Sequence, residues 1–285
     1  MALGVDTADT LTGINWSKFH AWKKAWPTFA GRYFGGAGVD LYQEGEFKYA
    51  YTSTQETLTY AFAIQGAQGG GSYKGQTYYS TEGTLGYSYG NNDATLTCEN
   101  VAAALTDNEL KLPSGGLVVV YLDVEKNDDL KSAYWAGWAN TVHTYGVTLN
   151  GTTLRPFVPG IYCPYWTSST GAMLPATCVQ TVFDNAYKYW TNSNVRCRGL
   201  WTNEPVAKAF CTAGANVSSY WSQFGTSKQT LQSGTVDVPL LLWQYAESGI
   251  CTSYYHVSDF AGGQRLDLDG SDSTSAETYM FTING

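Results

Sequence analysis

The stretch VVVYLDVE, residues 118–125, runs five apolar or aromatic residues into two acids, Asp123 and Glu125, spaced i and i+2. Side chains alternate along a strand, so both acids point to one side, with Cα atoms roughly 6.5–7 Å apart. Crowded carboxylates disfavour joint ionisation, so at least one of them titrates high. A protonated acid beside an ionised one is what cleavage of a glycosidic bond requires. Two plainer readings compete. The acids could be solvated turn residues leading through EKNDD into a helix, or part of a calcium site, although no EF-hand-like spacing is present.

Three more acids end strand-like segments. Asp6 closes ALGVD near the start, and Asp267 and Asp269 fall in GQRLDLDGSD near the end. In a (β/α)8 barrel the parallel strands end on one face, and that face carries the active site. Asp6, Asp123, Glu125 and Asp267 would then converge from strands one, four and eight, with Asp269 just behind.

The elements between these acids support that placement. FAGRYFGG, LTYAFAIQG, LRPFVPGIYCPYW, RCRGLWTN and VPLLLWQYAE read as further strands, several of them apolar throughout, as strands buried on both faces are. SKFHAWKKAW, CENVAAALTDNELKL, DDLKSAYWAGWANTVHTYG and ATCVQTVFDNAYKYW have helical spacing. Alternating strands and helices predict an α/β fold with a parallel sheet. Eight strand candidates predict a single (β/α)8 barrel spanning residues 1–285. Its irregular feature is a long Gly- and Tyr-rich insertion after the second and third strands, at about residues 35–95, with residues 66–92 read as loop or a small β-excursion. An open doubly wound sheet is the alternative, but no GxGxxG or GxxxxGK[ST] opens a helix.

Composition narrows the chemistry further. The 285 residues are 44% hydrophobic and 14% charged, which excludes a disordered chain. The net charge of −8 argues against nucleic acid as a partner, because phosphate binding needs clustered Lys and Arg. Ten Trp and 22 Tyr supply flat rings with polar edges, which suit sugars as well as cores. The three His show no metal-ligand spacing, no CxxC pair is present, and no GxSxG marks a hydrolase elbow, so neither metal nor cofactor is expected. Six cysteines, an even count, predict disulfides and an oxidising compartment, with buried free thiols as the alternative. No stretch is apolar for the roughly 20 residues that a membrane span needs. The chain carries no signal peptide at MALGVDTADT, so secretion or export is expected by a trimmed signal or another route.

The motifs GVDTAD, VYLDVE, GIYCPYW, LLWQYAESG and RLDLDG occur in the order found in family-25 glycoside hydrolases, the Chalaropsis-type lysozymes that cleave the glycan of peptidoglycan. The chain also resembles a related glycoside-hydrolase-like family of uncharacterised function, through its RYF second strand. The resemblance implies a barrel enzyme whose substrate is peptidoglycan or a related amino-sugar polysaccharide. It implies Glu125 as general acid, and Asp123 as the group that stabilises the anomeric carbon or orients the substrate's acetamido group. Asp6 and Asp267 would complete the acidic floor. Tyr162, Trp243 and Tyr245 would shape the sugar subsite, Asp269 would lie beside it, and Arg32 would bind substrate or pair with an acid. A non-catalytic glycan-binding or structural protein on the same barrel, or a hydrolase of another polysaccharide, is the alternative.

Overall fold

The structure is a computed structural model; it describes residues 2–36, 40–66, 81–124, 130–167, 173–175, 197–203, 230–233, 236–246, 266–271 and 276–285. Eight strands form the frame: β1 Ala2–Thr7, β2 Phe29–Gly35, β3 Tyr60–Gly66, β4 Val118–Asp123, β5 Phe157–Thr167, β6 Gly199–Asn203, β7 Val236–Ala246 and β8 Asp267–Ser271. They pair in the order β2-β1-β8-β7-β6-β5-β4-β3, and β2 pairs with β3, so the sheet closes into an eight-stranded barrel. The barrel expected from the alternation is therefore the fold. Each of the eight strands falls on a segment that the sequence marks as strand-like.

One expectation fails in direction. β8 runs antiparallel to both β1 and β7, whereas the other neighbouring strands are parallel. Asp267 thus opens β8 rather than ending it. The register pairs Asp6 with Asp267 and Gly4 with Asp269. Reversal of the strand brings its first residue, not its last, to the face where β1 ends.

Alternation sorts each strand into an inner and an outer row. The inner rows pack Phe29, Tyr33, Phe62, Ile64, Val119, Tyr121, Val158, Tyr162 and Trp201 into one buried cluster. Large rings lean over residues without side chains: a Cβ at Gly4 would lie 2.0 Å from Phe29, and one at Gly31 would lie 2.2 Å from Phe62. Phe62 meets Trp201 edge-on at 5.2 Å and Tyr121 at 5.8 Å, an arrangement that the ring quadrupoles favour. The outer rows, with Val5, Phe34, Val120, Ile161 and Trp243, pack beneath the helices.

Four helices lie among the described residues: α1 Trp16–Lys23, α2 Glu46–Ser53, α3 Gly83–Thr106 and α4 Ser132–Thr144. α3 departs from the loop or small β-excursion expected over residues 66–92, since residues 83–92 are helical. Its first turns carry Gly86 and Gly90, which weaken helix propensity and hide the periodicity. Tertiary packing outweighs that cost. A Cβ at Gly90 would lie 2.1 Å from the Tyr134 carbonyl oxygen, and one at Gly137 would lie 2.0 Å from that of Tyr87. The glycines let the backbones of α3 and α4 touch, and any side chain there would meet backbone that cannot swing aside. The expected helix at ATCVQTVFDNAYKYW lies outside the described residues.

Cys98 and Cys197 are buried free thiols, so these two do not take part in the expected disulfides. Burial pushes the Cys197 thiol up to about 12, which keeps it protonated and inert. The side chains of the other four cysteines lie outside the described residues. No described helix is long and apolar enough to cross a membrane.

Gly137→Val is expected to lower stability by about 1–3 kcal/mol through overpacking of the α3–α4 contact, measured as a shift in the urea midpoint at unchanged slope.

Candidate active site

Three of the four acids expected at one face lie together there. Asp6 from β1, Asp123 from β4 and Asp267 from β8 stand on the inner rows at the end of the barrel where the parallel strands finish. Asp6 is 3% exposed and Asp123 6%, while Asp267 is partly open to solvent. Glu125 lies outside the described residues, and its placement beside Asp123 rests on strand alternation alone.

Neutral donors tie these acids into a belt. Tyr33 Oη on β2 donates to Asp123 Oδ2 at 2.8 Å. The ring reaches past β3 at Gly66, where a Cβ would press on it at 3.2 Å. Gln244 on β7 is the hub of the other side. Its Nε2 donates to Asp267 Oδ2 at 2.9 Å and to Asp6 Oδ1 at 3.2 Å, and its Oε1 accepts from Tyr162 Oη at 2.6 Å. The phenol of Tyr162 leans on Trp201, ring centroids 4.3 Å apart, and so spans β6 to reach Gln244. A tyrosine donor on the amide oxygen leaves the amide nitrogen for the two acids, which fixes the orientation of the amide.

One layer deeper sits Asp269, fully buried, with Trp201 Nε1 donating to its Oδ1 at 3.1 Å. Asp6 titrates well above the usual carboxylate range, first because it is buried and then because Asp269, Asp267 and Asp123 carry like charge. Burial is also the largest cause of the raised value at Asp269. Tyr33 and Tyr121 are likewise held in their neutral forms by burial and nearby carboxylates, so both remain donors. No group of three or more described His, Cys, Asp or Glu side chains has the geometry to hold a metal ion.

Three expected site residues stand elsewhere or only partly in view. Arg32 is fully buried on the outer side of β2, where Nε donates to Glu46 Oε2 at 2.7 Å and Nη2 to Oε1 at 3.1 Å. It also holds the carbonyls of Thr7 and Asp40. Of its two expected roles, pairing with an acid is the one seen. The even position that makes it follow Ala30 and precede Phe34 on the outer row turns it away from the mouth. Trp243 is also fully buried in the outer core, since it neighbours the inward Gln244 and must point the opposite way. It therefore cannot line a sugar subsite at the mouth. Tyr245 lies in β7 by its backbone, next to an irregularity in the pairing of Gln244 and Ala246 with β8, and its side chain lies outside the described residues.

Tyr33, Gln244 and Trp201 were missed as site residues. Gln244 was in view inside the motif LLWQYAESG, where a lone amide among apolar strand residues is the signal. Tyr33 and Trp201 carry no such signal, because an aromatic residue in a strand is equally a core residue.

No family model and no curated protein matches the sequence. Among solved structures, the chain is similar to an uncharacterised protein of B. stearothermophilus, 13% identical, with a TM-score of 0.54, covering 98% of this chain and 100% of that one. This likeness concerns the fold. Also similar are the catalytic domain of endolysin ply40 from bacteriophage P40 of Listeria monocytogenes and a family 25 glycosyl hydrolase from Bacillus anthracis. The endolysin domain is 12% identical, with a TM-score of 0.43, covering 96% of this chain and 94% of its own; the hydrolase is 13% identical, with a TM-score of 0.42, covering 98% and 94%.

Two measurements check this geometry. Glu46→Ala strands a buried guanidinium and is expected to cost about 3–5 kcal/mol in chemical denaturation, whereas Arg32→Met with Glu46→Leu costs less. Gln244→Glu adds a carboxyl among acids, and burial with like charge raises its folded-state pKa above the unfolded value. The stability of this variant is therefore retained in acid and lost as pH rises through that raised value. Its deficit against the native protein is expected to be larger at pH 8 than at pH 5, by about 2 kcal/mol in urea titrations.

Proposed function

We propose that this protein is a glycoside hydrolase that cleaves peptidoglycan or a related amino-sugar polysaccharide. The observation that carries the reading is the belt of Asp6, Asp123 and Asp267 at the barrel mouth, held by Tyr33, Tyr162 and Gln244. Buried acids cost stability, and a fold that maintains three at an open face has a use for them there. The motif order shared with family-25 glycoside hydrolases supports the same reading.

Glu125, two residues beyond Asp123, is the general acid. It gives its proton to the glycosidic oxygen as the bond to the anomeric carbon breaks, so that the leaving sugar departs as a neutral alcohol. Positive charge then grows on the anomeric carbon and ring oxygen. Asp123 meets that charge, or orients the acetamido group of the substrate so that its oxygen attacks from within. Tyr33 keeps the Asp123 carboxylate turned by one hydrogen bond. Water completes the reaction after Glu125, now ionised, takes its proton. Asp6 and Asp267 form the acidic floor, and Tyr162 and Tyr245 border the sugar. Residues 1–285 act as one catalytic domain, exported to the cell envelope where such a glycan lies.

The test is release of reducing ends from purified peptidoglycan and chitin by the native protein and by Glu125→Gln. Activity on peptidoglycan that falls at least about 100-fold in the variant, with the thermal midpoint unchanged, is the expected result. Equal inertness of both proteins on every glycan overturns the hydrolase reading and leaves a glycan-binding role. Equal activity overturns Glu125 as the acid.

A further inference from the structure

A second concave site lies on the outer side of the barrel wall, away from the acids. A cavity of about 460 Å³ opens between α2, the start of α1 and the short turn Leu11–Gly13 that leads into α1. That volume lies in the range of small-ligand sites. Its wall carries the hydroxyls of Thr12, Ser17, Tyr49 and Ser53, the amide of Asn15 and the indole of Trp16, and no charged side chain lines it. The two sides of the cavity are tied together. The Leu11 backbone N–H donates to Glu46 Oε2 at 3.0 Å, the same oxygen that accepts from Arg32 Nε. Walls fixed in advance cost little ordering when a ligand enters.

We infer that this cavity is a second saccharide site, which holds a neutral sugar unit outside the mouth. The lining sets the ligand class. An ion or a nucleotide would find no opposite charge there. A sugar presents hydroxyls that need donors and acceptors together, and hydroxyl side chains supply both. Asn15 accepts from the Lys18 backbone N–H on Oδ1 at 3.1 Å, which leaves its Nδ2 to donate to a ligand. Tyr49 is 43% exposed and offers a ring to the CH face of a sugar. Trp16 backs the cavity at 2% exposure, and its Nε1 is buried with no acceptor among the described residues. A ligand oxygen seated against that ring would supply one. Placement gives the consequence. α1 follows β1, which carries Asp6, and α2 follows β2, yet both helices pack on the outer core, so a sugar held here touches none of the mouth acids. A polymer with one unit in the cavity keeps its other units at raised local concentration beside the mouth. The choice of an amino sugar as that unit rests on the proposed substrate; the neutral lining does not.

Heteronuclear NMR of the native protein titrated with chitotetraose, a neutral amino-sugar tetramer, tests the site without turnover. The Trp16 indole and Asn15 side-chain amide resonances are expected to shift and to saturate. Tyr49→Ala removes an exposed ring and leaves the core intact. Ser17→Glu puts a charge into the cavity from the first turn of α1, where a carboxylate suits the helix dipole. Each variant is expected to weaken the binding read at these two resonances at least about 10-fold, with the thermal midpoint unchanged. Asp123→Asn, at the mouth, is expected to leave both shifts as they are. No shift at either resonance, unchanged affinity in either cavity variant, or loss of the shifts in Asp123→Asn overturns the inference. Because no bond is cleaved, the result stands apart from the hydrolysis test: a protein inert on every glycan that still shows these shifts loses the hydrolase reading and keeps the site.

Discussion

The antiparallel pairing of β8 between β1 and β7 closes the barrel and determines what its mouth contains. Seven strands run one way, and the eighth enters from the other end. Its first inner residue, Asp267, therefore arrives level with Asp6, and its second, Asp269, comes to lie opposite Gly4 in a layer sealed from water. Had β8 run parallel with the others, Asp269 rather than Asp267 would stand nearer the open end. The stack of two acids against a third is a product of that reversal, and the Gln244 and Trp201 hydrogen bonds grow from it.

The fold accommodates buried charge in two different ways. Outside the barrel wall, Arg32 and Glu46 neutralise one another, and the guanidinium also satisfies two backbone carbonyls. Such a pair offsets its own desolvation through near-ideal geometry and leaves nothing for a substrate to engage. Inside the mouth no cation is provided among the described residues. The acids are met by phenols, an indole and an amide, and neutral donors of this kind leave the site acidic. The contrast separates an ion pair that ties the wall together from acids at the mouth that no described cation neutralises.

Much of the frame was readable because a strand buried on both faces must be apolar throughout, as VVVYL and VPLLLW are. The start of α3 was hidden for the opposite reason. Gly86 and Gly90 look like loop residues in isolation, and their purpose, the close approach of α4 through Gly137, exists only when both helices are in place. The acids were readable because charge at the end of an apolar run is costly unless it faces an opening. Trp243 was expected at the mouth because strand ends were identified without their parity, and the same parity gives Arg32 the acid-pairing one of its two expected roles. A shift of one residue moves a side chain from the inner row to the outer.

The sequence by itself determined the eight strands, their order along the chain and the identity of the acids at their ends, since each depends on local periodicity. Tertiary structure alone decided the direction of β8, the side of the wall on which Arg32 and Trp243 lie, and the hydrogen-bonded belt through Gln244. Those features depend on residues such as Asp6 and Gln244, 238 positions apart, which meet only when the barrel closes.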